Sequence, residues 1–285
     1  MNIFLDFDGT ITAKDTVGEL ARFALGVQAA EGADLATAWD AVVRAYVEDH
    51  GAHARGYDPP AAARTAPEQE IAFLRRAKAV EARSLARVRD CALFRGIERE
   101  AFRAAGRELV RAGAVRLRPG FRAFAARWAA APGARVWVLS VNWSAAFIEG
   151  VCGDVPGLTV VANDVRPADG SVAGPPALDL PGDPPGQPRI LTNSRDKLDA
   201  MHALLRAAAR EAHPSVYFGD STTDLECLLA AHRGFVVADH DGSSLLQTLR
   251  RIGKEVPHVR NRDAASSNSL AWTSDFDSVL DLELV

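Results

Sequence analysis

Two aspartates stand two positions apart where the first apolar run of the chain ends. Residues 2–7 read NIFLDF, a short run of β-forming residues, and Asp8, Gly9 and Thr10 follow it directly. Acids at positions i and i+2 project to the same side of a continuing strand, and a glycine permits a tight turn afterwards. One carboxylate could attack phosphorus, while its neighbour protonates the leaving alcohol and later deprotonates a water molecule. A turn that merely ends the strand is the simpler alternative, but an apolar strand followed by D-x-D-G-T favours the catalytic interpretation.

A second acidic motif follows a later apolar run. Residues 215–218 are predicted to form a strand, and the sequence GDSTTD occupies 219–224. Its acids, Asp220 and Asp224, offer hard oxygen ligands, and Mg²⁺ usually takes one or two carboxylates together with water and a substrate phosphate. Taken alone, the motif is explained equally well without a metal: Asp220 would cap a helix, and Asp224 would be exposed to solvent. Beside the first motif, a magnesium site is the preferred interpretation.

Strands that alternate with helices position these motifs. The pattern predicts strands at 2–7, 134–140, 158–162, 215–218 and 234–238. Such alternation implies a parallel sheet with right-handed crossovers, whose ligands bind beyond the carboxyl ends of the strands. The predicted fold class is therefore α/β, with a Rossmann-like parallel sheet.

A long helical block separates the first strand from the second. Helical spacing of apolar residues covers 17–30, 34–49, 68–89 and 97–112, and the Pro- and Gly-containing stretch 51–67 is predicted to be a loop. About 100 residues is too long for one crossover, so we predict a helical subdomain at 17–116 inserted into a core of 1–16 plus 117–285.

Two shorter segments complete the core prediction. Residues 165–189, with the pair Asp169-Gly170, are predicted to form a small hairpin or flap followed by a loop. A second D-x-D at Asp275 and Asp277 is interpreted as surface, because no apolar strand is predicted before it and no Gly-Thr follows.

The ordered set DFDGT, a strand that ends in Ser140, then Lys197 and GDSTTD resembles the four signature motifs of the haloacid dehalogenase superfamily of phosphohydrolases. The resemblance covers 1–16 and about 117–253, and the helical insert matches the first cap position of that superfamily. The DFDGTIT start, the LRPG at 117–120 and the Gly/Asp hairpin are similar to the phosphoserine-phosphatase-like branch, which includes diketo-methylthiopentyl phosphate phosphatases.

The resemblance implies a role for each matching acid. Asp6 would be the nucleophile that forms an aspartyl-phosphate, and Asp8 the general acid and base. Magnesium would be held by the carboxylates of Asp6 and Asp220 and by the backbone carbonyl of Asp8. Asp224, the fourth residue assigned to the metal site, would orient these ligands.

The remaining matching positions would bind phosphate. The Ser140 hydroxyl and the backbone N–H groups of Val141 and Asn142 could grip a phosphate at a helix start, although a simple helix cap would explain the same residues. Thr10 is assigned to the same role. Lys197 would supply a fixed positive charge to the phosphoryl oxygens and the nucleophile.

Arg195 is an available substitute for Lys197. A compact ammonium suits a crowded site of carboxylates and phosphate better than a guanidinium does. The sequence alone leaves the choice between the two open.

Other functions stay open beside a phosphatase. A phosphotransferase or mutase would use the same intermediate and deliver the phosphoryl group to an alcohol. A dehalogenase would not need Asp8 and Asp220 together, and a phosphonate hydrolase would need an amine such as Lys14 or Lys78 in the cap. A non-catalytic binding protein of the same fold would be favoured by the loss of an acid, and none is missing.

Composition limits the partners. The chain has 48% hydrophobic and 25% charged residues with a formal net charge of −4, which requires neither nucleic acid nor a membrane. A strand from residue 2 leaves no room for a secretory signal, and no apolar run reaches membrane-spanning length. Three scattered cysteines suit a reducing compartment. We therefore expect a cytoplasmic monomer or homodimer that acts on a small phosphorylated metabolite.

Five arginines recur at every fourth position, a spacing that forms a slowly winding stripe along one side of a helix: Arg95, Arg99, Arg103, Arg107 and Arg111. This stripe could attract a phosphorylated substrate or an acidic partner. A solvated face with the intervening glutamates is the preferred interpretation.

Overall fold

A six-stranded parallel sheet forms the centre of the computed structural model, which describes residues 1–179, 188–261, 263, 265 and 268–284. Its strands are β1 (Asn2–Leu5), β2 (Arg135–Leu139), β3 (Leu158–Val161), β6 (Ser215–Gly219), β7 (Arg233–Val237) and β8 (Leu270–Thr273). They lie in the order β3-β2-β1-β6-β7-β8. Two short antiparallel strands, β4 (Asp164–Val165) and β5 (Val172–Ala173), form a separate hairpin.

The register of the central strands brings the polar motifs to one edge of the sheet. Leu5 of β1 lies opposite Val138 of β2 and Phe218 of β6, so the three strands end at the same level. The first residues beyond these ends therefore meet in space, as expected for parallel strands.

Ten helices of the described residues surround the sheet. They are α1 (Val17–Ala30), α2 (Ala36–Gly56), α3 (Pro67–Arg76), α4 (Lys78–Asp90), α5 (Arg99–Arg111), α6 (Phe121–Ala130), α7 (Ala145–Cys152), α8 (Ser194–Ala207), α9 (Leu225–Ala230) and α10 (Ser244–Arg251). The first six lie between β1 and β2 in the chain. None of the helices in the described ranges is both long and apolar enough to cross a membrane.

Helix α5 packs closely on α7 through two glycines. A Cβ on Gly106 would lie 2.4 Å from the carbonyl oxygen of Phe147, and a Cβ on Gly150 would lie 2.1 Å from that of Arg103. A larger residue at either position would push the two helices apart, so this contact holds α5 against α7.

Hydrophobic residues cover both faces of the sheet. Ile3 and Leu5 of β1 belong to a core cluster on one face, while Phe4 belongs to a second cluster and stacks on Trp137 at 4.8 Å. Burial on both faces explains why the strands read as continuous apolar runs rather than as alternating patterns. The predicted α/β class with a parallel sheet is confirmed.

The structure corrects three local predictions. Helix α2 continues to Gly56 through part of the segment predicted as a loop, because His53 stacks on Phe73 at 4.7 Å and this contact outweighs the low helix propensity of Gly51. The helix predicted at 68–89 is two helices that meet at Ala77.

The third correction is strand β8, since no strand is predicted from the sequence before the second D-x-D. It pairs with β7 at the sheet edge and directly precedes the second D-x-D, whose Phe276 is buried while Asp277 is exposed. The predicted hairpin is present as β4 and β5. Residues 180–187 of the loop predicted after it lie outside the described residues.

Four of the five stripe arginines lie on α5 and are engaged in ion pairs, while Arg95 precedes that helix. Arg99 and Arg103 both contact Glu149, Arg107 contacts Glu100, and Arg111 contacts Glu108. Arg99 also contacts Asp164. These pairs favour the solvated, internally neutralised face over a surface that attracts phosphate.

Candidate active site

Lys197 links the two acidic motifs below the edge of the sheet. Its Nζ donates to Oδ1 of Asp6 and to Oδ1 of Asp224, each at 2.6 Å, and the lysine side chain is fully buried. Asp6 follows β1 and is only 4% exposed, and its backbone N–H donates to Phe218 at 2.8 Å. The ammonium is thus held between carboxylates from the first and the last motif.

The first turn of α8 is fixed so that Lys197 points inward. Asn193 caps the helix by accepting from the backbone N–H of Asp196 at 3.0 Å, and Asp196 in turn pairs with Lys78 of α4 at 2.5 Å. Arg195 is directed away and pairs with Asp199 at 2.9 Å. Of the two cations that the sequence left open, Lys197 is the one that reaches Asp6.

Asp224 is already satisfied by protein donors. Its Oδ1 accepts from Lys197 and from the Tyr217 hydroxyl at 2.8 Å, and its Oδ2 accepts from the backbone N–H groups of Asp220 and Ser221 at 3.1 Å. A carboxylate with both oxygens engaged in this way supports its neighbours and has little capacity left for an ion.

Asp220 lies near Asp6, and its carboxylate accepts fewer hydrogen bonds from the described residues than that of Asp224 does. Its Oδ1 accepts from the Thr10 hydroxyl at 3.1 Å, and ligand oxygens of Asp6, Asp220 and Asp224 lie within 4.8 Å of one another. Thr10 is fully buried and is not among the described residues that line the cavity. Its hydroxyl supports a carboxylate here, and its contact with phosphate stays a prediction.

The turn after Asp8 requires a glycine. Gly9 has a φ of +74°, and a Cβ there would lie 2.2 Å from Oδ2 of Asp220. Arg118 clamps the same turn by donating to the carbonyl oxygens of Gly9 at 2.6 Å and Thr10 at 3.2 Å. This buried arginine was not predicted; the only signal for it was its place in the LRPG sequence.

Asp8 is held apart from the lysine-centred cluster. Its Oδ1 accepts from the backbone N–H and the hydroxyl of Thr16 at 2.8 and 2.6 Å, and its Oδ2 accepts from Asn142 at 2.8 Å. Burial raises the pKa of Asp8 to about 6, helped by the nearby charge of Asp15, whereas the hydrogen bonds from Asn142 and Thr16 oppose the rise. The carboxyl group therefore sits closer to neutrality than a free aspartate, which suits a group that gives and takes a proton.

The three consecutive residues predicted to grip phosphate, Ser140, Val141 and Asn142, lie after β2 and line the cavity. The backbone N–H of Asn142, however, donates to Oγ of Ser140 at 3.1 Å. The Asn142 side chain donates to Oδ2 of Asp8, and the phosphate contact of the Asn142 N–H stays a prediction.

A cavity of about 560 Å³ lies above this edge of the sheet. Its floor includes Asp6, Asp8, Ser140 and Asp220, and its walls include residues of α1, α2 and α4. This volume suits a small-molecule ligand. Lys14 and Lys78 are not among its described lining residues, which removes support for a phosphonate hydrolase.

The charge of the cluster suits a divalent cation. Burial and the charges of Asp224 and Asp220 raise the pKa of Asp6, against the opposing effect of Lys197. Burial and Asp224 likewise raise the pKa of Asp220 to about 7. Burial alone would lower the pKa of Lys197, but Asp224 and Asp6 outweigh it and raise that pKa.

When all three carboxylates are ionised, they and the one ammonium carry a net charge of −2, which a divalent cation would balance. Oxygen donors of this kind fit Mg²⁺. Because Asp224 is saturated by protein donors, Asp6 and Asp220 are the carboxylates best able to hold such an ion.

The fold and this site define a Rossmann-like α/β protein whose acidic motifs lie at the carboxyl edge of its sheet. A model of the haloacid dehalogenase-like hydrolase family matches residues 3–229. The chain belongs to this family, and the family predicted from the sequence is confirmed.

Solved structures with related folds include a HAD family hydrolase from Salmonella enterica subsp. enterica serovar Typhi. It has a TM-score of 0.52 and 15% identity, over 99% of this chain and 72% of that chain. At this identity the similarity supports the fold alone.

Two further structures have lower TM-scores. A phospho-aspartyl intermediate analogue of phosphoserine phosphatase has a TM-score of 0.49 and 14% identity, over 98% of this chain and 96% of that chain. A phosphoserine phosphohydrolase-like protein from Francisella tularensis subsp. tularensis has a TM-score of 0.48 and 12% identity, over 99% of each chain. A search of curated protein sequences finds no significant match.

Proposed function

We propose that the chain is a Mg²⁺-dependent phosphomonoesterase that hydrolyses a small phosphorylated metabolite through an aspartyl-phosphate at Asp6. The observation that carries this proposal is the Lys197 ammonium 2.6 Å from Asp6 and from Asp224, with Asp220 beside them on the floor of a cavity. Membership of a hydrolase family supports it, as does the resemblance of the motifs to the phosphoserine-phosphatase-like branch.

The proposed ligands of the ion are the carboxylates of Asp6 and Asp220 and the backbone carbonyl of Asp8, with Asp224 holding the surrounding groups. When bound, Mg²⁺ supplies positive charge that stabilises the phosphoryl group during transfer. The chain's own contribution is a fixed arrangement, since Lys197 and Thr10 hold Asp6 and Asp220 by direct hydrogen bonds.

The first step breaks the phosphate ester. A carboxylate oxygen of Asp6 forms a bond to phosphorus as the bond from phosphorus to the ester oxygen breaks. Asp8, held by Thr16 and Asn142, gives its proton to the leaving alkoxide, so the alcohol departs neutral. The proposed role of the Ser140 hydroxyl and the Val141 N–H is to hold the phosphoryl oxygens.

The second step returns the enzyme to its starting state. Asp8, now ionised, takes a proton from a water molecule whose oxygen attacks phosphorus. The bond from phosphorus to Asp6 breaks, inorganic phosphate leaves, and the Asp6 carboxylate is restored. One carboxyl group thus serves both halves of the reaction.

Residues 17–116 are proposed to act as a cap over this site. Helices α2 and α4 contribute part of the cavity wall, so their side chains contact whatever is attached to the phosphate. A cover of this kind excludes bulk water while the ester breaks and must admit water for the second step.

The activity itself is the first test. Purified protein is expected to release inorganic phosphate from p-nitrophenyl phosphate with millimolar Mg²⁺, and EDTA is expected to lower the rate at least about 100-fold, since the ion offsets charge in the transition state. Phosphate moved to an added alcohol, without release into water, would instead identify a phosphotransferase. An absence of both reactions would contradict the proposal.

Thermal unfolding gives a readout that does not depend on turnover. At about 100 times its dissociation constant, Mg²⁺ is expected to stabilise the wild type by about 2.7 kcal/mol and to raise Tm by several degrees. Asp220→Asn, which removes a proposed ligand charge, should show a clearly smaller increase. An equal increase in both proteins would contradict the assigned site.

Asp8→Asn separates the two halves of the reaction. With an alkyl phosphate, kcat/KM is expected to fall by about 10²–10⁴-fold, because the poor leaving group needs the proton. With p-nitrophenyl phosphate the loss in the first step is expected to be smaller, and a burst of p-nitrophenol should precede slow phosphate release. Equal losses on both substrates, without a burst, would contradict the role of Asp8.

A further inference from the structure

We propose that the cavity selects phosphate esters of an alcohol that carries an organic cation, a protonated amine or a quaternary ammonium group. The inference rests on the proposed function and names the substrate class of the same site. It follows from the side chains that the wall of the cavity presents to the part of the substrate beyond the phosphate.

Aromatic rings form one part of that wall. Trp39 of α2 and Trp143, which precedes α7, meet edge to face with their ring centroids 6.3 Å apart. Tyr46 lies two turns further along α2, and Val42 and Val43 line the cavity between them. The spacing of these residues places them on one face of the helix. Aromatic faces attract organic cations, and tryptophan does so most strongly.

Acidic side chains form the other part of the cavity wall. Glu81 of α4 lines the cavity and accepts from the Tyr46 hydroxyl at 3.0 Å. Asp15, at the start of α1, lines it as well. Burial raises the pKa of Glu81, so a cation bound beside it would favour the ionised carboxylate and be held by it in return.

Among the described lining residues there is no Lys, Arg or His that could bind an anionic leaving group. The cations near the wall are engaged elsewhere or lie outside it. Lys78 of α4 pairs with Asp196. His50 is exposed on α2, and its ring lies 6.0 Å from that of Tyr46. A carboxylate on the leaving group would face Glu81 and Asp15 without a cation among the described lining residues to pair with, so this wall disfavours it.

A matched pair of substrates isolates the charge. Choline phosphate and 3,3-dimethylbutyl phosphate have nearly the same shape and differ in a quaternary nitrogen against a quaternary carbon. The wild type is expected to show kcat/KM at least about tenfold higher for choline phosphate, from the aromatic and carboxylate contacts together. Phosphoglycolate, with a carboxylate on the leaving group, is expected to be poorer than either. Equal values for the matched pair, or a preference for the neutral or anionic ester, would overturn the inference.

A pair of glutamate variants tests the origin of the preference. Glu81→Gln is expected to bring the ratio of the two kcat/KM values at least about threefold closer to one. Glu48→Gln, on the exposed face of α2 and outside the described cavity lining, should leave the ratio unchanged. The same loss in both variants would assign the preference to general surface charge and reject the role of Glu81.

A binding measurement separates this inference from the proposed function. Asp6→Asn protein is titrated with the same two esters while tryptophan fluorescence is followed, since Trp39 and Trp143 line the cavity. Tighter binding of choline phosphate supports the inference even where no ester is hydrolysed. Hydrolysis of both esters with equal binding would leave the phosphatase standing and reject the cation site.

Discussion

Replacing Asp6 by Asn is expected to lower kcat for p-nitrophenyl phosphate at least about 10⁴-fold, because the amide cannot form the covalent intermediate. The side chain follows β1 directly and is almost fully buried, so its position is fixed by the central strand. The change also removes one charge from a crowded acidic cluster. We therefore expect the variant to stay folded, as checked by circular dichroism.

The second D-x-D offers a matched control for this substitution. Asp277→Asn makes the same chemical change at an exposed residue that follows another strand of the same sheet, at its edge. Its kcat is expected to stay within about twofold of the wild type, in line with ordinary surface substitutions. Activity retained by Asp6→Asn, or lost equally in both variants, would contradict the nucleophile assignment.

The covalent intermediate is open to direct detection. In Asp8→Asn protein the second step is slowed, so a phosphorylated peptide that contains Asp6 is expected after acid quenching and mass spectrometry. Wild-type protein quenched in the same way should show much less of it. Phosphorylation found on another residue would contradict the proposed first step.

The acids on the floor of the site could be predicted from the sequence, because an acid that directly follows an apolar strand is a recognisable pattern. Asp6 and Asp220 follow apolar strands that the structure pairs with one another, and parallel pairing brings their side chains together without further information. Lys197 was harder to assign, since nothing in its local sequence separates it from Arg195. The choice depends on the direction of α8, which its packing against the sheet determines.

The supporting contacts could not be read from the sequence. Arg118 reaches the turn at Gly9 across more than 100 positions of the chain, and Asn142 reaches Asp8 in a similar way. Strand β8 was missed because four residues at a sheet edge give too short a pattern to recognise. Continuation of α2 past Gly51 depends on rings from another helix, which local propensity cannot anticipate.

Asp8 illustrates how the core and the inserted helices are connected at the site. Its carboxylate accepts from Thr16, which immediately precedes α1, and from Asn142, which follows β2. A movement of α1 would therefore change the hydrogen bonds of the proposed proton donor. The position of α1 thus affects Asp8 directly through Thr16.

Lys197→Met is expected to lower the free energy of unfolding by about 3–5 kcal/mol, the usual cost of leaving a buried charge without its partner. The lysine is fully buried, and its ammonium is shared by Asp6 and Asp224. Methionine has a similar length and fills the space of the lysine side chain. The loss of stability therefore measures the missing charge more than a loss of packing. Urea unfolding in the presence of EDTA measures it, and kcat is expected to fall at least about 10²-fold as well.

Two further variants test whether the loss of stability in Lys197→Met comes from the missing buried charge. Lys254→Met, at a half-exposed lysine, is expected to change stability by about 0.5 kcal/mol or less. Adding Asp224→Asn to Lys197→Met removes one of the stranded charges, so the double variant should be more stable than the sum of the single losses predicts, by about 0.5–3 kcal/mol. Strict additivity, or a loss below about 1 kcal/mol for Lys197→Met, would mean that the buried ammonium does not hold the carboxylates together. The proposal for the floor of the site would then lose its central observation.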